Sequence, residues 1–327
     1  MFHGDMDLNT ALGLKELRSR IDGKVPPSKL DETLNIATWN IREFGKKARW
    51  ESSIHLIAEI IFQFDVVAIA ELRSDLHDLR RVLDILGPYW DVVYSDFTQD
   101  RGGNRERFGF IYDKRAATFT GLAAEADPDR VKKGDEWLPS EAWWRSPYMA
   151  SFSAGNFDFV MLSAHIRWGK KEANRAGPLR NLANWVDRRR KDKDAVDKDL
   201  IVLGDFNIPD LNGPLFEAVT SKGLRVPQPL LDLPNQQACA NLKRNKRYDQ
   251  ILHYPRIAKA FTNNAGVLDF YQGDWAGLFP GTNATKNAYT FQLSDHLPLW
   301  VQLDTWTDDR KLEQLINRRQ KQAAADG

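Results

Sequence analysis

Four apolar runs of strand length each stop at a polar side chain. The runs and the residues that end them are 34–39 with Asn40, 65–70 with Glu71, 157–164 with His165, and 200–204 with Asp205. Short apolar runs bounded by turn-forming residues are typical of strands buried in a sheet. Near the C-terminus the order is reversed, because Asp249 precedes the run 250–254 and Asp295-His296 precedes the run 297–303. If these last two strands run antiparallel to the first four, all of the polar residues lie at one edge of the sheets.

Segments with helical spacing of apolar residues lie between and around these predicted strands. The predicted helices are 8–21, 52–62, 76–86, 172–193 and 308–322. Alternating strands and helices ordinarily indicate a parallel sheet, but hairpin signals and the reversed final motifs favour two packed, mostly antiparallel sheets flanked by helices. We therefore predict an α+β fold with an N-terminal helix and linker (1–32), a main domain (33–304) that contains all of these polar residues, and a C-terminal helix and tail (305–327).

Composition and charge exclude several classes of protein. The 327 residues are 42% hydrophobic and 28% charged, which is typical of a globular protein. No apolar run reaches the roughly 18 residues that a membrane-spanning helix requires, and residues 1–30 lack the apolar core of a signal peptide. The single cysteine, Cys239, excludes an intrachain disulfide and suits a reducing compartment, so we expect a cytoplasmic location. The net charge of +1 gives no overall attraction to nucleic acid, so any such attraction must be local.

The first candidates for chemistry are Asp205 and Asn207. Side chains two residues apart on an extended segment point the same way, so both reach one point beyond the strand end. A carboxylate and an amide there suit a hard divalent cation or a phosphoryl oxygen, although the tetrapeptide alone favours a polar turn. Glu71 is the candidate ligand for Mg²⁺ or Mn²⁺, and Asn40 and Asp295 would extend that site. The alternative roles are a helix-capping carboxylate for Glu71, a turn residue for Asn40 and an Asx-type cap for Asp295. Because all three residues arrive at one edge of the sheets, the ligand roles are favoured.

Seven short motifs occur in order along the chain. They are Thr38-Trp39-Asn40, Ala70-Glu71, Arg105-Glu106-Arg107-Phe108, Ser163-Ala164-His165, Gly204-Asp205-Phe206-Asn207, Tyr248-Asp249 and Ser294-Asp295-His296. Over residues 33–304 this set resembles the endonuclease/exonuclease/phosphatase superfamily, and within it the deoxyribonuclease I-like members. The resemblance implies a four-layer α/β/β/α sandwich. In having histidine at position 165 the chain resembles the deoxyribonuclease I-like and sphingomyelinase-like members, whereas abasic-site endonucleases usually have a tyrosine in that segment.

Two histidines are the candidates for proton transfer, because imidazole titrates near neutral pH. A lone histidine after an apolar strand is more often just a polar strand end. The resemblance gives each histidine a carboxylate partner, with Glu106 orienting His165 and Asp249 orienting His296. One imidazole would then activate water and the other would protonate the leaving oxygen. Which histidine performs which step stays open.

The resemblance also assigns roles in substrate contact. Asp205 would hold a second metal ion or orient the water, and Asn207 would donate to a phosphoryl oxygen. Arg145 matches the family's Arg-x-Pro motif, which implies a contact with the substrate backbone. The basic candidates for substrate binding are Arg107, Arg145, Arg167 and Arg247. One departure is Asn104, which stands where the deoxyribonuclease has an aromatic residue.

The sequence therefore predicts a metal-dependent phosphodiesterase that acts as an endonuclease on DNA and as a monomer. Basic residues around the site, including the run 243–247, form the local surface that a polyanion requires. One alternative is a phospholipid or sphingomyelin phosphodiesterase, for which Trp137, Trp143 and Trp144 would supply an exposed aromatic element. The other is a catalytically silent nucleic-acid-binding module. Such modules typically lose a metal ligand or a histidine, and this chain retains both.

Overall fold

The computed structural model describes residues 1–98, 104–128, 130–139, 143–169 and 171–306, and parts of 308–322. Its strands are β1 (Thr33–Asn40), β2 (Val66–Leu72), β3 (Trp90–Tyr94), β4 (Arg107–Asp113), β5 (Thr118–Glu125), β6 (Arg130–Lys133), β7 (Glu136–Pro139), β8 (Tyr148–Ala154), β9 (Phe157–His165), β10 (Leu200–Asp205), β11 (Asp249–His253), β12 (Phe261–Val267) and β13 (Leu299–Asp304). Its α-helices are α1 (Leu8–Ile21), α2 (Glu51–Ile61), α3 (His77–Leu86), α4 (Ala176–Lys191), α5 (Pro214–Thr220), α6 (Gln228–Leu231) and α7 (Lys286–Gln292). Each of the six apolar runs that precede or follow the candidate site residues forms a strand.

Within the described residues, the strands form two large sheets and one separate hairpin of β6 and β7. One large sheet has the order β12-β13-β1-β2-β4-β3, and the other has the order β11-β10-β9-β8-β5. Each contains one parallel pair, β1 with β2 and β9 with β10, and the remaining pairs are antiparallel. The prediction of mostly antiparallel sheets is confirmed. Strands β13 and β11 run against β1 and β10, as the reversed order of their motifs requires.

Helices cover the outer face of each sheet. Side chains alternate along β1, so that Trp39 packs with α1 and α2, whereas Ile36 belongs to the core between the sheets. In that core Phe110 of β4 meets Phe152 of β8, with ring centroids 5.9 Å apart. Apolar residues of α4 and α5 join the same core from the far side of the second sheet. The layers therefore follow the order helices, sheet, sheet, helices, which confirms the predicted α/β/β/α sandwich.

The N-terminal helix is packed onto the sandwich. Leu17 of α1 is fully buried, and the Arg20 guanidinium donates to the carbonyl oxygens of Tyr271 and Asp274 at 2.7 and 2.6 Å. The predicted C-terminal helix and tail, residues 305–327, lie largely outside the described residues. None of the described helices combines the length and the apolarity that a membrane crossing requires.

A backbone irregularity in β2 decides where Glu71 points. Strand alternation places Ala70 in the core between the sheets and would turn Glu71 toward the outer helices. The pairing of β2 with β4 shifts its register between Ile69 and Leu72, and Glu71 has a φ of 60°. This bulge redirects the Glu71 side chain to the edge of the sheet, where it bonds to Asn40.

Strands β9 and β10 approach each other closely at a glycine. Gly204 has a φ of 136°, and a Cβ atom at this position would lie 2.0 Å from the carbonyl oxygen of Ala164. Residues with a side chain rarely adopt such a backbone, and none fits the space. Gly204 therefore sets the distance between the ends of these two strands.

Candidate active site

The register of the second sheet brings three of the predicted residues side by side. Asp205, at the end of β10, lies opposite His165 of β9 on one side and Asp249 of β11 on the other. The first sheet brings three more of the predicted residues to the same place, namely Asn40, Glu71 and His296. Side chains that are far apart in the sequence therefore meet at one edge of the sandwich, as the order of the strands predicts.

Two histidines face a common carboxylate oxygen. His165 Nδ1 lies 3.0 Å from Glu106 Oε2, and His296 Nδ1 lies 2.8 Å from Asp249 Oδ2. The Nε2 atoms of both rings lie 3.7 Å from a single atom, Oδ2 of Asp205. A carboxylate at Nδ1 fixes the orientation of each ring and favours a proton on that nitrogen. Both Nε2 atoms are therefore directed at one point, where they can exchange protons with a substrate.

The Glu106 carboxylate is ionised and acts directly on His165. Burial opposes ionisation, but the hydrogen bond and charge of His165, with the nearby Arg145 and Arg73, lower the pKa of Glu106 to about 2. Burial and the Arg145 charge lower the pKa of His165. The hydrogen bond to Glu106 and the charges of Glu106 and Asp205 outweigh them, so the pKa of His165 is raised overall. This pairing stabilises the imidazolium form of His165.

The second histidine interacts electrostatically with both Asp249 and Asp205. Burial lowers the pKa of His296, but the charges of Asp249 and Asp205 and the hydrogen bond to Asp249 raise it well above its usual value. Burial also raises the pKa of Asp205, against the positive charge of His296 and with the help of the negative charge of Asp249. The charges of His296 and Asp205 therefore stabilise one another across 3.7 Å.

Asn40 and Glu71 form the candidate metal site. The Asn40 amide nitrogen donates to Glu71 Oε1 at 3.0 Å and to Asp205 Oδ2 at 3.1 Å, and the Glu43 backbone donates to Glu71 Oε2 at 2.8 Å. Asn40 Oδ1 is buried and has no hydrogen-bond partner among the described residues. An orphaned buried oxygen is costly, and a cation beside Glu71 would satisfy it.

The donor set indicates which kind of ion fits. Within the described part of the chain, no three His, Cys, Asp or Glu side chains are grouped as a metal cluster. One carboxylate and one amide oxygen therefore fit Mg²⁺, or Mn²⁺, which prefers oxygen ligands and retains several waters. They do not fit an ion such as structural Zn²⁺, which takes all its ligands from protein side chains.

The third predicted metal ligand, Asp295, lies in a segment that is bonded to the metal site. Ser294 Oγ donates to the carbonyl oxygen of Asn40 at 2.5 Å and accepts from the backbone nitrogen of His296 at 3.0 Å. Asp295 lies between these residues, is exposed, and contributes its charge to the raised pKa of His296. Its role as a ligand stays a prediction.

Asn207 is anchored behind Asp205. Its backbone nitrogen donates to Asp205 Oδ1 at 3.0 Å, and its side-chain amide donates to the carbonyl oxygen of Ile166 at 2.7 Å. The residue has a φ of 53°, a conformation that asparagine tolerates better than most residues. An amide carries two N–H donors, so the predicted contact with a phosphoryl oxygen would use the second one.

The four arginines that were predicted to bind substrate have different environments. Arg145 is buried and forms a two-pronged pair with Glu106, at 2.8 Å to Oε1 and 2.6 Å to Oε2. Arg107 and Arg247 are also buried and donate to backbone carbonyl oxygens of nearby loops. Among these four, Arg167 is the one whose side chain is exposed. Arg107 and Arg247 therefore support the loops around the site, and substrate binding by the four arginines stays a prediction, with Arg167 the most accessible of them.

Arg73 is a site residue that the sequence prediction did not include. Its Nη2 atom lies 3.5 Å from Glu106 Oε1, 3.4 Å from Glu43 Oε1 and 4.0 Å from Glu71 Oε2. One guanidinium thus reduces the repulsion among three carboxylates and joins the metal side of the site to the His165 side. Its position just after the strand end at Glu71 was the available signal.

Paired histidine–carboxylate groups beside oxygen ligands for a divalent cation are the groups that a hydrolase of phosphoric esters requires. Residues 37–296 match the profile of the Endonuclease/Exonuclease/phosphatase family. Because this match spans most of the chain, the chain belongs to that family, whose members hydrolyse phosphoester bonds and typically use divalent metals. The comparison with curated proteins finds no match.

Solved structures with a similar fold include an endonuclease/exonuclease/phosphatase family protein from Bacteroides thetaiotaomicron, at 17% identity and a TM-score of 0.54, covering 83% of this chain and 97% of that one. The human Nocturnin catalytic domain with bound sulfate has 12% identity and a TM-score of 0.54, covering 85% and 96%. The Bacteroides thetaiotaomicron mannosyl-6-phosphatase has 16% identity and a TM-score of 0.53, covering 83% and 99%. At these identities the similarity shows the fold alone.

Proposed function

We propose that this chain is a divalent-metal-dependent phosphodiesterase that acts as an endonuclease on DNA. Two imidazole Nε2 atoms converge on Asp205 Oδ2 at 3.7 Å each, and this convergence carries the proposal. Hydrolysis of a phosphodiester requires an activated water, a proton donor for the leaving oxygen, and stabilised charge on the phosphoryl oxygens. Two oriented imidazoles supply the two proton transfers, and the neighbouring polar groups supply the stabilisation.

The chain's own residues divide these tasks. One of His165 and His296 accepts a proton from water at Nε2, and the other donates a proton to the leaving oxygen. Asp205 orients the water between them. Asn207 donates to a phosphoryl oxygen, as the donors of an oxyanion hole do.

Glu71 and Asn40 would hold the metal ion, and Asp295 would extend that site. A bound Mg²⁺ or Mn²⁺ supplies positive charge at the phosphoryl oxygens. The orphaned Oδ1 atom of Asn40, beside the Glu71 carboxylate, supports this assignment. Arg73 Nη2 lies 4.0 Å from Glu71 Oε2, so its positive charge partly offsets the negative charge of the carboxylate.

Exposed cations around the site favour a polyanionic substrate. Arg167 is exposed two residues after His165, and Lys243 is exposed in the basic run that precedes Asp249. Cations placed around a phosphate-cleaving centre attract a nucleic-acid backbone and make its binding depend on salt.

A phospholipid phosphodiesterase is the second candidate. The hairpin of β6 and β7 exposes 63% of Trp137, together with Val131 and Leu138. An exposed tryptophan flanked by aliphatic and basic residues is typical of elements that insert into the surface of a bilayer. A catalytically silent module has less support, because both histidines and both of their carboxylate partners are present and hydrogen-bonded.

A substrate panel tests these functions. Plasmid, single-stranded DNA, RNA, sphingomyelin vesicles, a sugar phosphomonoester and a small chromogenic diester are each incubated with Mg²⁺, Mn²⁺ or chelator. We expect nicking of the plasmid with either metal and none in chelator. Turnover of lipid alone, or of the monoester alone, would replace the endonuclease assignment. DNA binding without any turnover would favour the silent module.

We also propose that residues 33–304 form the catalytic domain of a monomeric, cytoplasmic protein. Every candidate site residue lies within that range. Cys239 is a buried free thiol, which suits a reducing compartment. Size-exclusion chromatography with light scattering measures the oligomeric state, and a stable dimer would contradict this part of the proposal.

A further inference from the structure

Two exposed tryptophans lie next to the His165 strand end, and each has an arginine over its ring. Trp144 is 46% exposed, and the guanidinium carbon of Arg167 lies 3.8 Å from its ring centroid. Trp168 is 52% exposed, and the guanidinium carbon of Arg175 lies 4.6 Å from its ring centroid. We call these four side chains the tryptophan–arginine platform.

Trp168 is fixed relative to the proposed catalytic residues. Tyr248 packs edge-on against it, with ring centroids 5.3 Å apart and an interplanar angle of 88°, and Tyr248 is followed in the chain by Asp249. Arg175 covers the ring of Trp168 and also donates to the carbonyl oxygen of Asn207. The orientation of this indole is therefore tied to the groups that would bind the scissile phosphate.

Trp144 is held close to the site by a different segment of the chain. Its neighbour in the chain, Arg145, forms the two-pronged pair with Glu106 that supports His165. Arg167, which lies over the Trp144 ring, follows His165 by two residues. Both indoles are therefore placed by the same short segments that place the proton-transfer groups.

We propose that the tryptophan–arginine platform binds unpaired bases of a nucleic acid next to the phosphodiester that is cleaved. This inference rests on the proposed function and specifies the preferred substrate as nucleic acid with unpaired bases beside the cleaved bond, so a plasmid would be nicked where its strands open locally and a single strand would be cleaved faster. An indole face stacks on any base, and the exposed Arg167 attracts the adjoining phosphates, whereas the buried Arg175 holds the Trp168 ring in place. In an intact duplex the base faces are already stacked on one another, so the platform has nothing to bind there.

The arginines distinguish this surface from a lipid-binding one. Arg167 and Arg175 place positive charge against the indole rings, and a choline headgroup, which is also a cation, would be repelled. Inserting these rings into a bilayer would also bury the guanidinium group of Arg167, which is exposed, whereas that of Arg175 is already buried. The alternating phosphates and flat bases of a nucleic acid match both parts of the platform.

Binding in chelator tests the platform without requiring catalysis. The fluorescence anisotropy of three labelled probes is measured: a short oligothymidine, an abasic strand of the same length, and the corresponding duplex. We expect the wild type to bind oligothymidine most tightly. Trp168→Ala and Trp144→Ala should each weaken that binding by about 5- to 150-fold, the range expected for one stacked base. Trp168→Phe should retain most of the affinity, and neither alanine variant should change binding of the abasic strand.

Trp306→Ala is the matched control. Trp306 is 52% exposed and follows β13, whose end pairs with the start of β1, so it lies at the opposite edge of the sheet from the site. Its replacement should leave all three affinities unchanged. Circular dichroism melting curves of every variant report whether the fold is retained.

The possible outcomes separate this inference from the proposed function. Equal affinity for oligothymidine and the abasic strand, or no effect of Trp168→Ala and Trp144→Ala, would overturn the platform even in a protein that cleaves DNA. Trp168-dependent binding of sphingomyelin vesicles without binding of oligothymidine would overturn it as well. Base-dependent binding in a protein that cleaves no phosphodiester would uphold the platform and refute the proposed function.

Discussion

His165 and His296 direct their Nε2 atoms at the same oxygen of Asp205, at 3.7 Å each. The two rings come from different sheets, one from the end of β9 and the other from the segment before β13. Each is held at Nδ1 by a separate carboxylate. A phosphate that lies against Asp205 would therefore meet one imidazole on each side.

Replacing either histidine removes a proton-transfer group while leaving the apolar core intact. We expect His165→Ala and His296→Ala each to lower kcat by about 10²- to 10⁴-fold. The double variant should be little slower than the slower single variant, because the two groups serve one reaction. Initial rates of plasmid nicking at saturating Mg²⁺ measure this effect, with the exposed His77→Ala as the control. Near-wild-type cleavage by both single variants would contradict the assigned roles.

Glu71→Gln removes a negative charge from the candidate metal site and keeps an acceptor for the Asn40 amide. We expect the half-saturating metal concentration to rise roughly tenfold or more, because a hard cation binds a neutral amide less tightly than a carboxylate. Calorimetric titration with Mn²⁺ gives a readout that does not depend on activity. Glu51→Gln, at an exposed position on α2, is the control. An unchanged titration would remove Glu71 from the metal site.

Glu106 makes the stability of the fold depend on pH. Its pKa of about 2 in the folded protein lies below the value of about 4.3 in an unfolded chain. A lowered carboxyl pKa contributes stability that is present above the unfolded value and is lost as the pH falls through the folded value. Glu106→Gln should therefore be destabilising by roughly 2–3 kcal/mol at neutral pH, and this difference should shrink between about pH 4 and pH 2.

Urea unfolding at several pH values measures the free-energy difference between Glu106→Gln and the wild type. Glu136→Gln, at an exposed position on β7, controls for the loss of one surface charge. A difference that does not change with pH would show that Glu106 stabilises the fold by its shape and hydrogen bonds alone.

Lys243 and Lys246 supply the test of polymer binding. The neighbouring Arg244 and Arg247 donate to backbone carbonyl oxygens, so replacing them would disturb the loop itself. Lys243→Ala combined with Lys246→Ala should weaken DNA binding and reduce the slope of log affinity against log salt by up to about 2. Lys193→Ala, at an exposed position after α4, should leave the slope unchanged. An unaltered slope in the double variant would place the DNA elsewhere.

Gly204→Ala tests the close approach of β9 and β10. The added Cβ would meet the Ala164 carbonyl oxygen at 2.0 Å, so the strands must separate. We expect a loss of more than about 2 kcal/mol in the free energy of unfolding, together with reduced activity. Gly121→Ala is the control, because Gly121 also has a positive φ, 105°, but nothing lies within 4 Å of its added Cβ. Equal stability losses in the two variants would show that only backbone strain matters.

Much of the site follows from strand order, because each strand of a sandwich ends at one of two edges. Asn40, His165 and Asp205 end their strands in the sequence and lie at the predicted edge. For Glu71, strand order alone does not predict the direction of the side chain. Alternation along β2 directs it to the outer helices, and only the bulge before Leu72 brings it to the site. No local sequence motif predicts this bulge, because it lies in the pairing of β2 with β4, a strand that is distant in the sequence.

The arginines show a second limit of prediction from the sequence. Arg73, Arg107 and Arg247 each reach their partners through a long flexible side chain, and several partners are distant in the sequence. Apolar periodicity predicts which face of a strand is buried, but it contains no information about which carbonyl or carboxylate a guanidinium meets. The sequence analysis did not predict the tryptophan–arginine pairs either, because apolar periodicity does not show that Arg167 lies over Trp144, 23 residues away, or that Arg175 lies over Trp168.

The assembly of the site from both halves of the sandwich has a consequence for folding. One sheet supplies Asn40, Glu71 and His296, and the other supplies His165, Asp205 and Asp249. An intermediate with both sheets formed but apart would show native-like circular dichroism and yet be inert. During refolding, recovery of enzymatic turnover should therefore lag behind secondary structure and coincide with the burial of Phe152 against Phe110.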